Sequence, residues 1–294
     1  YDPFARARIS SLARAFDAQI VQTYMGRATR LTRIEPKSSK AVHVARVGDF
    51  HDLKGYRHAS AWIASTDAIC QYLVASGMNR DRVFRVRNLV DEPPKVSVLE
   101  QQALRAELGI SKTHRVLMCV GRLHRDRGVD VALAALAKLP CELDGRELRL
   151  VVIGDGAQRA ALQQQADELG IAPRVHWVIG AGNPHPYAAI AEMLVYPSRQ
   201  SAVGTAVLEA WSYGLTVVAT QTAGPSELLS DGENGFLVPF DDADALAQAI
   251  CRGLQLNPVE RERMHAAVQL KLAQEHSADA VAAAHVCAYR SLLA

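Results

Sequence analysis

The segment Pro197-Ser-Arg-Gln-Ser-Ala-Val-Gly-Thr-Ala-Val-Leu-Glu209-Ala210 follows directly on the apolar run Met193-Leu-Val-Tyr196. Pro197 stops a strand, Gly204 opens a helix, and Glu209 stands five residues further on. The first N–H groups of a helix have no partner inside it and its dipole is positive at that end, so a helix start suits phosphate oxygens. From that position Glu209 is near enough to accept hydrogen bonds from ribose hydroxyls. The spacing predicts a pocket for a nucleoside diphosphate, although an ordinary strand-turn-helix shares its outline.

Two further strand ends carry residues with an evident use. After Val120 comes Gly121-Arg122-Leu-His-Arg-Asp-Arg127-Gly128, in which a glycine lets the backbone turn and two arginines flank a loop. Guanidinium groups stay charged and donate paired hydrogen bonds, which matches phosphate oxygens. After Ile153 comes Gly154-Asp155-Gly156, a tight turn before a helix. A dinucleotide fingerprint would need a third glycine at position 159, which is Arg.

The elements that must position these loops alternate along the chain. A helix over Ala5–Phe16 precedes strands at Ile20–Thr23, Ala41–Ala45, Ala61–Ala64 and Val83–Val86, with helices near Gly26–Arg33 and Ile69–Val74, the latter capped by Gly77. Asn88–Val98, containing Pro93-Pro94, has the composition of a linker. A second series then runs through strands at Val116–Val120, Leu148–Ile153, Val175–Val178, Leu194–Tyr196, Thr216–Ala219 and Gly235–Val238. Its helices are expected at Leu99–Leu108, Val129–Leu139, Gln158–Leu169, Thr205–Tyr213 and Ala243–Leu254, and helices at Pro258–Glu275 and Ala278–Leu293 close the chain. Short apolar strands joined by helices imply parallel sheets buried on both faces, with ligands at the carboxyl ends of the strands.

Composition sets the outer bounds. The 294 residues are 49% hydrophobic, enough for about two domains with real cores. No run approaches the ~18 apolar residues of a membrane span, and Tyr1-Asp-Pro-Phe-Ala-Arg-Ala-Arg lacks a signal-type apolar segment, so a cytoplasmic setting is expected. Cys70, Cys119, Cys141, Cys251 and Cys287 form no C-x-x-C pair and are expected to be buried thiols. The histidines His43, His51, His58, His124 and His185 lack metal-ligand spacing, and no metal site is expected. Trp62, Trp177 and Trp211 suit core packing, and Glu227 suits a helix cap. Charge is uneven, with 11 Lys or Arg against 5 Asp or Glu in residues 1–58 and 22 against 26 in the remainder. The basic tract Arg27, Arg30, Arg33, Lys37 and Lys40 suits either solvent or an anionic acceptor or lipid surface. No nucleic-acid partner is indicated.

Together these segments resemble the group 1 retaining glycosyltransferases of GT-B fold, which include enzymes of bacterial lipopolysaccharide core and exopolysaccharide assembly. The matching pieces are Val120-Gly-Arg-Leu with Arg127-Gly128, Val152-Ile-Gly-Asp-Gly156, Tyr196-Pro-Ser198, Gly204 through Ala210, Gly214 to Ala219, Gly224-Pro-Ser-Glu-Leu228 and Asp231-Gly-Glu-Asn-Gly-Phe-Leu-Val238. The resemblance implies an α/β chain of two Rossmann-like doubly wound domains. Residues 1–92 would form an incomplete N-terminal, acceptor-side domain with a linker from about 88, entered at about its third helix. Residues 93–275 would bind the nucleotide sugar, and 276–294 would cross back to the first domain. It also implies transfer of a hexose or heptose from a nucleoside diphosphate sugar to a glycan or glycolipid, without a metal or other cofactor.

By the same resemblance Arg122 and Arg127 hold the diphosphate with backbone N–H groups of Gly204, Thr205 and Ala206. Gly121 allows the close turn, Glu209 holds the ribose, and backbone near Gly180 meets the base. Ser201 stands where the family has a glutamate facing the donor sugar, which implies slow transfer that glutamate would speed. Arg46 falls where relatives place a histidine beside the sugar, and Arg127 where lysine is usual. A non-catalytic sugar-nucleotide-binding protein and a GT-B sugar-nucleotide epimerase are the alternatives.

Overall fold

A computed structural model describes residues 4–34 and 40–294, so Lys37 of the basic tract lies outside the described residues. The chain divides into Tyr1–Leu89 with Gln274–Ala294, and Val90–Ala273.

The first unit contains α1 (Ala5–Ala15), β1 (Ile20–Tyr24), α2 (Met25–Leu31), β2 (Val42–Val47), β3 (Ala61–Ala64), α3 (Asp67–Ala75) and β4 (Val83–Arg85). The C-terminal helix Ala278–Leu293 belongs to it too. Its four strands are parallel in the order β1-β2-β3-β4. Val44, Ala61, Ile63 and Val86 form a core with Leu292 of the C-terminal helix, whose Tyr289 hydroxyl donates to Gln22 Oε1 on β1. Thr66 caps α3 by accepting from Ile69 N, and Gly77, at φ +89°, closes it. The return of the chain into this unit is tied by Arg87 to Glu275 at 2.5 Å and by His276 Nδ1 to the Asn88 carbonyl at 2.8 Å.

The second unit runs α4 (Val98–Glu107), β5 (Arg115–Val120), α5 (Val129–Lys138), β6 (Glu142–Leu143), β7 (Arg146–Ile153), α6 (Arg159–Glu168), β8 (Val175–Val178) and α7 (His185–Ala188). It continues through β9 (Met193–Tyr196), α8 (Thr205–Ser212), β10 (Thr216–Thr220), α9 (Ala223–Leu228), β11 (Phe236–Val238), α10 (Ala243–Leu254) and α11 (Pro258–Lys271). Six parallel strands lie in the order β8-β7-β5-β9-β10-β11, and β6 pairs antiparallel with the start of β7. Alternation along each strand fills both faces. Leu117, Cys119, Leu150 and Val152 meet Leu133 and Leu136 of α5 and Leu246 and Ile250 of α10, while Val116, Met118, Val151 and Ile153 share a cluster with Val207, Leu208 and Trp211 of α8. Burial on both sides explains the unbroken apolar runs Val116–Val120 and Leu150–Ile153.

Several expectations change here. The helix from Pro258 stops at Lys271, and Leu272–His276 form a π turn. Glu227 lies inside α9 rather than at a cap. Cys119 is buried, which pushes its thiol up to about 12, but Cys141 and Cys287 are exposed, so burial does not hold for all five thiols. Trp62 and Trp211 are core residues.

Candidate functional site

The order of the six parallel strands reverses at β5: the chain proceeds from there to β7 and β8 on one side, then returns to place β9, β10 and β11 on the other. The carboxyl ends of β5 and β9 therefore flank the crevice in which open α/β sheets bind ligands. The Gly121–Gly128 loop leaves one and the Pro197–Gly204 loop leaves the other.

These loops approach so closely that glycine is required at two points. Gly128 caps α5 at φ +65°, and a Cβ there would lie 1.9 Å from the Pro197 carbonyl oxygen. Gly154, at φ +145°, would place a Cβ 1.9 Å from the Gly121 carbonyl oxygen. Gly121 N donates to the Ile153 carbonyl and Leu123 N to that of Asp155, which joins the β5 and β7 loops. Arg199 pins the β5 and β9 loops together. It grips Asp130 with two donors at 2.9 and 2.7 Å, reaches Asp241 at 2.5 Å and donates to the Arg125 carbonyl, so the carboxylates hold its charge more firmly than usual. Sequence reasoning passed over Arg199 because its partners come from distant segments.

Inside the crevice Arg127 lies with its stem over Gly121, whose absent Cβ would sit 3.6 Å from the arginine Cδ. Its Nη1 donates to the Tyr196 hydroxyl at 3.3 Å, which donates to Ser201 Oγ at 3.1 Å. Ser201 Oγ also accepts from Gly204 N at 3.1 Å, and the Ser201 carbonyl accepts from Gly224 N at 2.8 Å. Gly204 adopts φ +74° as the N-cap of α8, where a Cβ would meet Leu228 at 3.0 Å. Thr205 is exposed and Ala206 half-buried at the first turn, and Arg122, in the loop after β5, is exposed. The structure thus brings Gly121, Arg127, Ser201, Gly204, Thr205 and Ala206 to one end of the sheet.

Glu209 faces outward one turn further along α8. Partial desolvation pushes its carboxyl up from the ordinary value, with His185 acting in the opposite direction. His185 begins α7 and packs its ring edge-on against Tyr213 at 5.0 Å. Gly180, at φ +72°, follows the end of β8, and a Cβ there would meet open space.

Arg46 stands near the end of β2 in the first unit. Its Nη2 donates to the Val86 and Arg87 carbonyls at 3.1 and 3.4 Å and to Asn88 Oδ1 at 2.7 Å, with the guanidinium carbon 6.0 Å from the centre of the Tyr24 ring. Burial lowers its pKa while Tyr24 and Tyr289 act the other way. This bracing of the segment after β4 was not legible in the sequence, because its acceptors are mostly backbone carbonyls. Among the described residues no three His, Cys, Asp or Glu side chains could hold a metal ion, and no helix is long and apolar enough to cross a membrane.

Comparison with known proteins agrees with this architecture. Residues 100–270 match the family model of the glycosyl transferases group 1, and the chain belongs to that family. It is 28% identical over 244 residues to the lipopolysaccharide core biosynthesis glycosyltransferase LpsE of Rhizobium meliloti, covering 83% of this chain and 67% of that protein. It is 26% identical over 280 residues to LpsD of the same organism, covering 95% and 77%. Among solved structures, a glycosyltransferase from Rickettsia africae superposes with a TM-score of 0.83 at 17% identity, over 99% of this chain and 82% of that one. HepE of Anabaena in complex with UDP-glucose does so with a TM-score of 0.80 at 20% identity, over 99% and 82%. The two-unit α/β architecture is GT-B, and the protein is a glycosyltransferase.

Proposed function

We propose that this glycosyltransferase moves a hexose or heptose from a nucleoside diphosphate sugar to a glycan or glycolipid acceptor with retention of anomeric configuration, in bacterial lipopolysaccharide or capsule assembly. The observation that carries the reading is the junction of Arg127 and the Gly204 turn at the point where the strand order reverses. Similarity to two lipopolysaccharide core glycosyltransferases supports the acceptor class.

In this reading Arg122 and Arg127, with the N–H groups of Thr205 and Ala206, receive the diphosphate; the Gly204 N–H, expected to join them, is taken by Ser201 Oγ and shapes the turn instead. Glu209 accepts from the ribose hydroxyls, and backbone at Gly180 meets the base. Ser201 Oγ already accepts two hydrogen bonds, so its own proton is what it can offer a donor-sugar hydroxyl. The bond between the anomeric carbon and the distal phosphate oxygen breaks, and the acceptor hydroxyl oxygen bonds to that carbon on the same face. Its proton passes to the departing phosphate oxygen. The guanidinium groups and the positive end of α8 stabilise the charge that develops on the diphosphate. Arg46 braces the first unit. The excess of Lys and Arg in residues 1–58 supports docking on anionic headgroups at the inner face of the cytoplasmic membrane.

The test is incubation with candidate donors, with and without a lipopolysaccharide core acceptor, followed by NMR of the product. The reading expects free nucleoside diphosphate and a glycoside with the donor's anomeric configuration, only when acceptor is present. A changed donor sugar without acceptor would assign an epimerase, and binding without any turnover would assign a binding protein.

A further inference from the structure

We propose that Tyr196 is a positioning residue that sets Arg127 and the Gly204 turn in one register, so that the guanidinium and the first N–H groups of α8 meet the same diphosphate. The inference rests on the diphosphate site argued above and deepens it. Tyr196 ends β9, on the strand that feeds the turn, and only 6% of its surface is exposed. A buried phenol at that place has no need of its hydroxyl for packing, and a hydroxyl removed from water is costly unless bonded. Here the oxygen accepts from Arg127 Nη1 at 3.3 Å and donates to Ser201 Oγ at 3.1 Å.

The consequence is a continuous chain of hydrogen bonds across the crevice. Arg127 comes from the β5 loop, Tyr196 from β9, and Ser201 from the turn whose Gly204 N it accepts at 3.1 Å. Below, the arginine stem rests on Gly121; at its tip, the phenol limits where the guanidinium can point. Holding a long, rotamer-rich side chain before the ligand arrives removes part of the ordering cost of binding. Ser201 then has a purpose that does not require it to contact the donor sugar: it is the acceptor that fixes the phenol while closing the turn.

The test is calorimetric titration with uridine, guanosine and adenosine diphosphates and the matching nucleosides, against the full chain. Tyr196→Phe keeps the ring and removes the hydroxyl. It should weaken the diphosphate that binds about fivefold to tenfold and leave the nucleoside within about twofold, the effect expected of one hydrogen bond. Ser201→Ala, which removes the acceptor, should weaken the diphosphate in the same direction. In an Arg127→Ala background, Tyr196→Phe should have no further effect, because the phenol acts through that arginine. Equal losses for diphosphate and nucleoside, or the same loss with and without Arg127, would overturn the proposal and make Tyr196 a packing residue. If the wild-type chain binds none of the three diphosphates, the site reading itself fails and this inference falls with it.

Discussion

At the scale of single residues, Arg127 and Glu209 are the side chains whose loss should be felt most directly by a nucleotide ligand. Arg127 is half-buried over Gly121 with its tip on a phenol, so its charge is aimed before any ligand is present. Arg127→Ala should cost nucleoside diphosphate binding about 1.5 to 3 kcal/mol, the range for hydrogen bonds to charged groups, and leave nucleoside binding nearly unchanged by calorimetry. Equal loss for both ligands would remove it from the diphosphate. Glu209 is a different case, since its carboxyl is partly desolvated and pushed up from its usual value while the side chain still meets solvent. Glu209→Gln keeps the shape and removes the charge. It should weaken a ribonucleotide clearly and the 2′-deoxy analogue less, because the analogue already lacks one of the hydroxyls the carboxylate would hold. Both positions stood out in the sequence as candidates, since each sits at a fixed distance from a glycine that ends a strand or opens a helix. Arg46 was not, because its partners are carbonyls of Val86 and Arg87 and the amide of Asn88, brought there only by the fold.

At the scale of elements, function depends on loops packed backbone to backbone. Gly128→Ala would force a side chain into φ +65° and set its Cβ 1.9 Å from the Pro197 carbonyl oxygen. The left-handed backbone alone costs about 1 to 2 kcal/mol, and the collision adds to it. A urea melt should therefore show a loss of more than about 2 kcal/mol, whereas Gly109→Ala, also at positive φ but with open space around its Cβ, should lose only the conformational part. Equal losses at the two glycines would contradict the close approach of the β5 and β9 loops. The elements that sequence reading missed share a cause. α7 follows Gly182-Asn183-Pro184 and contains Pro186, and α9 contains Gly224-Pro225, so local propensity argues for loop in both. Tertiary packing overrides it, with Pro225 and Leu228 of α9 against Gly204 and Ala188 of α7 in the core. β6 is a two-residue strand whose hairpin turns through Asp144 and Gly145 at φ +53° and +73°, too short to leave a periodic pattern. The long strands of the second unit were visible because burial on both faces gives each an apolar run, as at Val116–Val120 and Leu150–Ile153.

At the scale of the whole molecule, a pH dependence of stability originates in the first unit. His43 on β2 is 1% exposed, with its Nε2 on the Thr23 hydroxyl at 3.0 Å and the His58 ring 5.3 Å away; burial, and then Arg33, lower its pKa to about 4. Above pH 6.5 the ring is neutral in the folded and the unfolded chain alike. As the pH falls from 6.5 towards 4, the unfolded chain takes up a proton that the folded one refuses, and stability is lost, by roughly 3 kcal/mol once the pH is below the folded value. His43→Gln should flatten this slope in denaturant melts between pH 4 and 6.5, and an unchanged slope would place the titrating group elsewhere. The central claim, that the second unit binds a nucleoside diphosphate sugar where its strand order reverses, is tested most directly by thermal denaturation of the full chain against a panel of nucleotide sugars. A donor present at about 100 times its dissociation constant should add roughly 2.7 kcal/mol, a rise on the order of 5 to 10 °C for a unit of this size, and Arg127→Ala should abolish most of that rise at the same concentration. No shift with any nucleotide sugar, or the same shift in the Arg127→Ala variant, would contradict the account.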